Sequence, residues 1–262
     1  MILIIKINLK QFMSGNEIIG LDELNAIKQI FKKSNGVFFA HGFEKRRNNI
    51  FRTKIFEKNF SKFLGTKFAI TCSSGTAAGQ MCLKALGIGP GDEVIVPSFT
   101  FIAAVECIVA VGATPVIVDG DNSFNMCPAK VEKKITKKTK AIMLVHMLGV
   151  PSDINLFLKI KKKYNIKIIE DACESLGAKY KNKYIGTFSD VSFFSFDFAK
   201  MITTGEGGMC ATNNKKTARL LQALRDHGHE NKKNTHRGLD KAIITGFNFR
   251  MTEIQAAVGI IQ

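Results

Sequence analysis

The chain has 262 residues, 45% hydrophobic and 23% charged, the composition of a globular protein able to bury a sizeable core in one large domain, or one and a fraction. Thirty-eight Lys and Arg against 22 Asp and Glu give a formal net charge of +16, which leaves nucleic acid, an acidic membrane surface and an anionic small molecule open as partners. The six cysteines stand singly, without a CxxC pair or metal-ligand spacing, and read as small buried apolar residues in a reducing, cytoplasmic setting.

In chain order, Met1 to Ile7 (MILIIKI) is apolar but too short for a signal core or a membrane span, and no other segment is long enough. Apolar residues at helical spacing predict helices over Glu17 to Lys33 and Lys54 to Leu64, joined by an arm, GVFFAHGFEKRRNNIFR. After Gly65 the texture changes. FAITC, EVIVP, PVIVD, AIMLVHM and IKIIED are short, largely β-branched runs separated by amphipathic stretches, the pattern of parallel strands covered by helices on both faces. VSFFSF and GGMCATN add strands, and Lys216 to His227 reads as a helix. GIGPGD precedes a strand and carries Pro90, so it is a turn and not a dinucleotide loop. The lysines of KVEKKITKKTK, IKKKYNIK and YKNKY are scattered, as on solvated helix faces.

An open α/β sheet binds its ligand at the carboxyl ends of its strands, and four features lie where that crevice is expected. TCSSGTAAGQ opens a helix after a strand: its N–H groups near Gly75 and Thr76 suit an anion such as phosphate, or Ser74 is an ordinary N-cap. Asp171 ends IKIIED and either caps the next helix or holds a cationic nitrogen. Phe101, after PSFT, is a core residue or a stacking platform. Lys200, between FFSFDFA and TTGEGG, is a snorkelling surface lysine or a desolvated amine that attacks a carbonyl. Taken together they match the needs of pyridoxal 5'-phosphate: a phosphate cradle, a ring platform, a counter-ion for the pyridine nitrogen and an amine for the aldehyde.

SSGTAA, GIGPGDEVIVPSFTFIA, GATPVIVD, TKAIMLVHMLG, IIEDACESLGA, FSFDFAKMITTGEGGM and GFNFRMTEIQAAVG resemble the DegT/DnrJ/EryC1/StrS family of sugar aminotransferases, from about Gly36 to Gln262. The resemblance implies a fold-type-I α/β large domain over 65–262, with a mostly parallel sheet between helices, preceded over 1–64 by N-terminal helices and the connecting arm. The family's smaller C-terminal domain is expected to be missing, as in a truncated product or fragment. Lys200 corresponds to the lysine that bonds the cofactor's aldehyde and shuttles a proton, and Asp171 to the aspartate that keeps the pyridine nitrogen protonated. Gly75, Thr76 and Ser195 match phosphate-binding positions, and Phe101 the ring over the cofactor.

Glu174 stands where the family more often has Gln or His near the cofactor's phenolic oxygen, and to serve there it has to be protonated or paired with a cation. Asn248 and Arg250 match a segment that reaches into a neighbouring subunit's site, which implies a homodimer with shared sites. A lysine at 200, where dehydratase members carry histidine, favours transfer of an amino group from an amino acid, L-glutamate, to a keto sugar for lipopolysaccharide or other cell-surface polysaccharide. The sugar is nucleotide-linked or an 8-keto-octulosonate; the long basic segments resemble the second branch, with Arg46, Arg47, His227, His229 and Arg237 available to a carboxylate or diphosphate. The rivals are a non-catalytic remnant that binds cofactor and a basic nucleic-acid-binding protein. No nucleic-acid motif accompanies the charge, so neither nucleic acid nor membrane is expected as a partner.

Overall fold

The computed structural model describes residues 14–230 and 239–262, so MILIIKI and Arg237 lie outside the described residues. The chain alternates helices and strands as its texture predicts: β1 (Phe68–Cys72), α4 (Gly75–Ala85), β2 (Glu93–Pro97), α5 (Ala103–Ala110), β3 (Thr114–Val118), α6 (Pro128–Lys134), β4 (Thr139–Val145), α7 (Ile154–Tyr164) and β5 (Lys167–Asp171). Then come the short hairpin β6 (Lys179–Tyr180) and β7 (Lys183–Tyr184), β8 (Val191–Ser195), β9 (Gly208–Thr212), α8 (Lys215–Arg225) and α9 (Glu253–Ile261). Ahead of them stand α1 (Gly15–Ile18), α2 (Leu21–Ser34) and α3 (Arg52–Leu64).

Seven strands form one sheet in the order β1-β9-β8-β5-β4-β2-β3, and every neighbouring pair is parallel except those made by β9, which runs against both β1 and β8. Central strands such as β4 are buried almost throughout because helices cover both faces. Pro115 sits on β3, the edge strand, where a missing N–H leaves no partner unsatisfied on the open side. One layer of core packs α4, α5 and α8 against the sheet through Met81, Leu83, Ile108 and Leu221. On the other face Phe56, Phe60 and Ala256 bring α3 and α9 to the sheet, and Val131, Phe157 and Ile160 bring α6 and α7. No helix among the described residues is long and apolar enough to cross a membrane.

The N-terminal segment departs from its predicted form. The helix expected from Glu17 is broken at Gly20, whose φ of −161° and ψ of −145° interrupt the helix, and restarts at Leu21 with Glu23 accepting from the Gly20 N–H. Its expected apolar face is mostly open: Leu21, Leu24 and Phe31 are exposed, while Ile30, Ser34 and Glu23 turn inward. The second difference concerns Arg47. Proposed from sequence as a contact for substrate, it is fully buried, with Nη2 at 2.7 Å from Glu253 Oε2 and Nη1 donating to the Phe39 carbonyl. Glu253 also accepts from the backbone N–H groups of Arg52 and Thr53, so one carboxylate at the start of α9 fastens both the arm and α3. A charge taken from water needs this many partners.

Removal of one member leaves the other charged and buried, so Glu253→Ala is expected to lower unfolding free energy by about 3–5 kcal/mol. Urea titration of Glu253→Ala beside Arg47→Met/Glu253→Leu checks this, the double variant recovering part of the loss because neither charge remains.

Candidate active site

A cavity of about 340 Å³ opens at the carboxyl end of the sheet, and its lining gathers residues from the exits of β1, β2, β4, β5 and β8. Helix α4 begins at the cavity wall. The Ser74 hydroxyl caps it by accepting from the Ala77 N–H at 3.0 Å, and the first N–H groups of any helix, here at Gly75 and Thr76, have no partner inside the helix. Gly75 is required by its neighbours: a Cβ there would stand 2.7 Å from Ser195 Cβ and 3.1 Å from Ser195 Oγ. The start of α4 and the end of β8 therefore close on one another as a small polar cradle. Beside them the Thr100 hydroxyl is buried and lacks a hydrogen-bond partner among the described residues.

The cavity is also lined by Asp171, the last residue of β5, 8% exposed, with Oδ1 accepting from the Cys173 N–H at 3.1 Å. Burial pushes its carboxyl above the usual aspartate range, an effect only partly offset by Cys173 and by the nearby Lys200 charge. Its neighbour Glu170 points away from the cavity into the structure. Burial pushes that carboxyl upward too, but His146 and the amides around it outweigh the burial and hold it below the ordinary glutamate range. Ser152 N–H donates to His146 Nδ1, so the ring proton lies on Nε2, which faces Glu170 Oε1 at 3.4 Å. The two adjacent carboxyls thus shift in opposite directions, because one is ringed by donors and the other is buried at a cavity with fewer of them.

Lys200 is not on a strand. β8 ends at Ser195, and Lys200 lies in the following turn, where its N–H donates to the Asp197 carbonyl. Its Nζ lies 3.9 Å from Glu174 Oε1, both side chains about one-quarter exposed. Glu174 is held from the other side by the N–H of Leu148, a residue in the left-handed region at φ 53°. Phe101 also lines the cavity, its ring 69% exposed.

Of the residues singled out in the sequence, Gly75, Thr76, Phe101, Asp171, Glu174, Ser195 and Lys200 meet in this one cavity. Asn248 does not: it is exposed, bridged to Asp226 and outside the cavity of its own chain. Arg250 pairs with Asp226, and His229 with Asp240. Arg46, Arg47, His227 and His229 line no part of the cavity. Sequence reading passed over Thr100, Cys173, Asp197 and Glu206, which are isolated polar residues within stretches already noted.

The residues fit pyridoxal phosphate on the structure's own terms. A side-chain-free cradle of N–H groups with an unpartnered hydroxyl suits its phosphate, a buried carboxyl suits its ring nitrogen, and an amine across the cavity suits its aldehyde. Fold and cavity are those of the fold-type-I pyridoxal phosphate enzymes. A solved aminotransferase from Psychrobacter cryohalolentis superposes with a TM-score of 0.84 at 35% identity, covering 93% of this chain and 61% of that one. NtdA from Bacillus subtilis, solved with bound cofactor PMP, gives 0.79 at 35% identity, covering 92% and 53%.

The chain belongs to the DegT/DnrJ/EryC1/StrS aminotransferase family, whose model matches residues 48–262. Among curated relatives, the GDP-perosamine synthase of Caulobacter vibrioides is 47% identical over 208 residues, 79% of this chain and 55% of that protein. The chain spans about half the length of the curated relatives it matches.

If the cradle binds phosphate, Gly75→Ala will weaken pyridoxal 5'-phosphate by at least roughly tenfold, ~1.4 kcal/mol, and leave phosphate-free pyridoxal nearly unaffected. Fluorescence titration with the two compounds separates these outcomes.

Proposed function

We propose that the protein is a pyridoxal-phosphate-dependent sugar aminotransferase that moves an amino group from an amino acid, L-glutamate, to the keto carbon of a nucleotide-linked sugar. The observation that carries the reading is the placement of the Lys200 amine and the buried Asp171 carboxyl in one cavity with the Gly75 cradle. When bound, pyridoxal phosphate supplies an aldehyde carbon and a ring that accepts the electron pair left when a substrate C–H is deprotonated.

Each residue then has a definite task. Lys200 Nζ would hold the cofactor at its aldehyde carbon and, once freed by an incoming amine, would take and return the proton at the substrate carbon. Asp171 acts as the counter-ion of the protonated ring nitrogen, an opposite charge that relieves the penalty burial imposes on its own ionised form. Gly75 and Thr76 N–H groups, with the Ser195 hydroxyl, hold the phosphate, and Phe101 covers the ring. Glu174, 3.9 Å from the Lys200 amine, would lie near the cofactor's phenolic oxygen, and that neighbouring cation supports the assignment.

Nucleotide linkage is favoured over an octulosonate by the relatives, named for GDP-perosamine, a dTDP-linked amino sugar and a UDP-linked amino sugar, and by the loss of Arg47 to the interior. The apolar rim around the cavity, with Phe99, Phe101, Leu148, Phe198 and Met201 exposed, supports a homodimer in which Asn248 and Arg250 serve the partner's site. All six cysteines are free, in keeping with a reducing cytoplasmic setting.

With added pyridoxal phosphate the wild type is expected to develop a long-wavelength absorbance band that L-glutamate bleaches. Lys200→Ala should show neither change. A band that L-glutamate leaves intact would mean binding without turnover and would overturn the reading.

Asp171→Asn separates two effects. The raised folded-state pKa means the cofactor-free protein loses stability as pH climbs from the unfolded aspartate value through the folded one. The amide removes that loss, so Asp171→Asn should melt at or above wild type at neutral pH without cofactor. Its half-reaction with L-glutamate should slow by roughly 10²–10⁴-fold. Paired melting curves and single-turnover rates check both.

A further inference from the structure

The charge of this chain is sorted by position, and it collects at the end of the sheet away from the cavity. Residues 68–127 carry one lysine and five carboxylates, whereas 128–190 carry fourteen lysines and six carboxylates, of which Glu170 and Asp171 are buried. Strand direction sets the location. β1, β4 and β5 run parallel and exit into the cavity, so the segments that enter them lie at the far end, together with the exit of the antiparallel β9.

Those segments are residues 62–67 before β1, 133–140 before β4, 161–167 before β5, and 215–216 after β9. They hold thirteen lysines and no Asp, Glu or Arg, while the entries of β2 and β8 at the same end add three carboxylates, Asp92, Glu93 and Asp190. Asp190 pairs with Lys161 and Lys167, and Glu132 with Lys163; the other ten make no ion pair among the described residues. These lysines span five adjacent strands, β1-β9-β8-β5-β4, about 20 Å across.

We propose that this end of the sheet docks on an anionic lipid bilayer as a peripheral contact without insertion. This goes beyond the proposed catalytic function and does not depend on it. The positive charge is on the wrong end of the sheet to meet a substrate phosphate, since the cavity instead gathers Asp171, Glu174, Asp197 and Glu206 around Lys200. A broad surface of lysines alone suits fluid headgroups, because each ammonium is a mobile point charge. Fixed recognition of nucleic-acid phosphates favours the rigid arginine fork, and no arginine is present in these segments. Docked this way, the chain holds its cavity mouth toward solvent.

The test is sedimentation of the full chain with phosphatidylcholine vesicles and with vesicles that also contain phosphatidylglycerol. The wild type is expected to pellet only with the mixed vesicles, and to be released near 1 M salt, where the screening length is about 3 Å. Lys133→Glu/Lys137→Glu/Lys138→Glu/Lys162→Glu should lower the partition coefficient at least roughly tenfold while its circular dichroism spectrum and cooperative melting match wild type, which shows that it is folded. Failure to pellet with mixed vesicles would overturn the proposal. So would equal pelleting with phosphatidylcholine alone, or displacement from mixed vesicles by duplex DNA at equal phosphate concentration, which would make the face a nucleic-acid surface.

Discussion

Helix α4 can begin where it does only because its first residue has no side chain. The Gly75 Cα lies against Ser195 at the end of β8, and Gly208 at the start of β9 is equally tight, since a Cβ there would fall 2.3 Å from the Ser74 carbonyl oxygen. These close approaches set the helix N-terminus level with the exits of the strands. Everything chemical about the site follows from that level: backbone donors, the buried carboxyl of β5 and the amine of the loop after β8 come to face one space. A methyl group at either glycine would push the start of α4 away from the ends of β8 and β9.

The site was legible because its parts are local. Gly75, Thr76, Phe101, Asp171, Ser195 and Lys200 each follow or end a strand whose apolar run is plain in the sequence, and an α/β sheet turns such positions toward one crevice. The sheet was legible for the same reason, including its mostly parallel character. Three things were not. The inward face of α2 depends on α9, more than two hundred residues away, so of the apolar positions that periodicity selects, Ile30 is buried while Leu21, Leu24 and Phe31 stay exposed, and the polar Ser34 turns inward. Arg47 looked like a ligand for an anion, and its anion is Glu253. Thr100 and Glu206 carry no pattern at all; only the folded wall of the cavity distinguishes them from other surface polar residues.

Charge is the other organising quantity. The cavity end concentrates carboxylates, one of them, Glu174, beside the Lys200 amine, while the opposite end concentrates ammonium groups with few counter-ions. A net charge of +16 read as a single number hides that polarity. Read along strand direction it becomes a gradient from one end of the sheet to the other, with the cavity at the acidic end and the lysines at the other.

The Arg47–Glu253 contact also imposes an order of events on a ribosome. Strand β1 finds its sheet partner only when β9 has been made, pairing Phe68 with Thr212, and the arm cannot lock until residue 253 emerges. Until then Phe56 and Phe60 have neither Phe196 nor Met251 to pack against. The nascent N-terminal segment is thus a waiting segment with exposed aromatics, and its closure is a long-range step that follows the making of residues 208–253. Fastening α2 and α3 with α9 therefore leaves apolar surface open on the growing chain for about two hundred residues of synthesis.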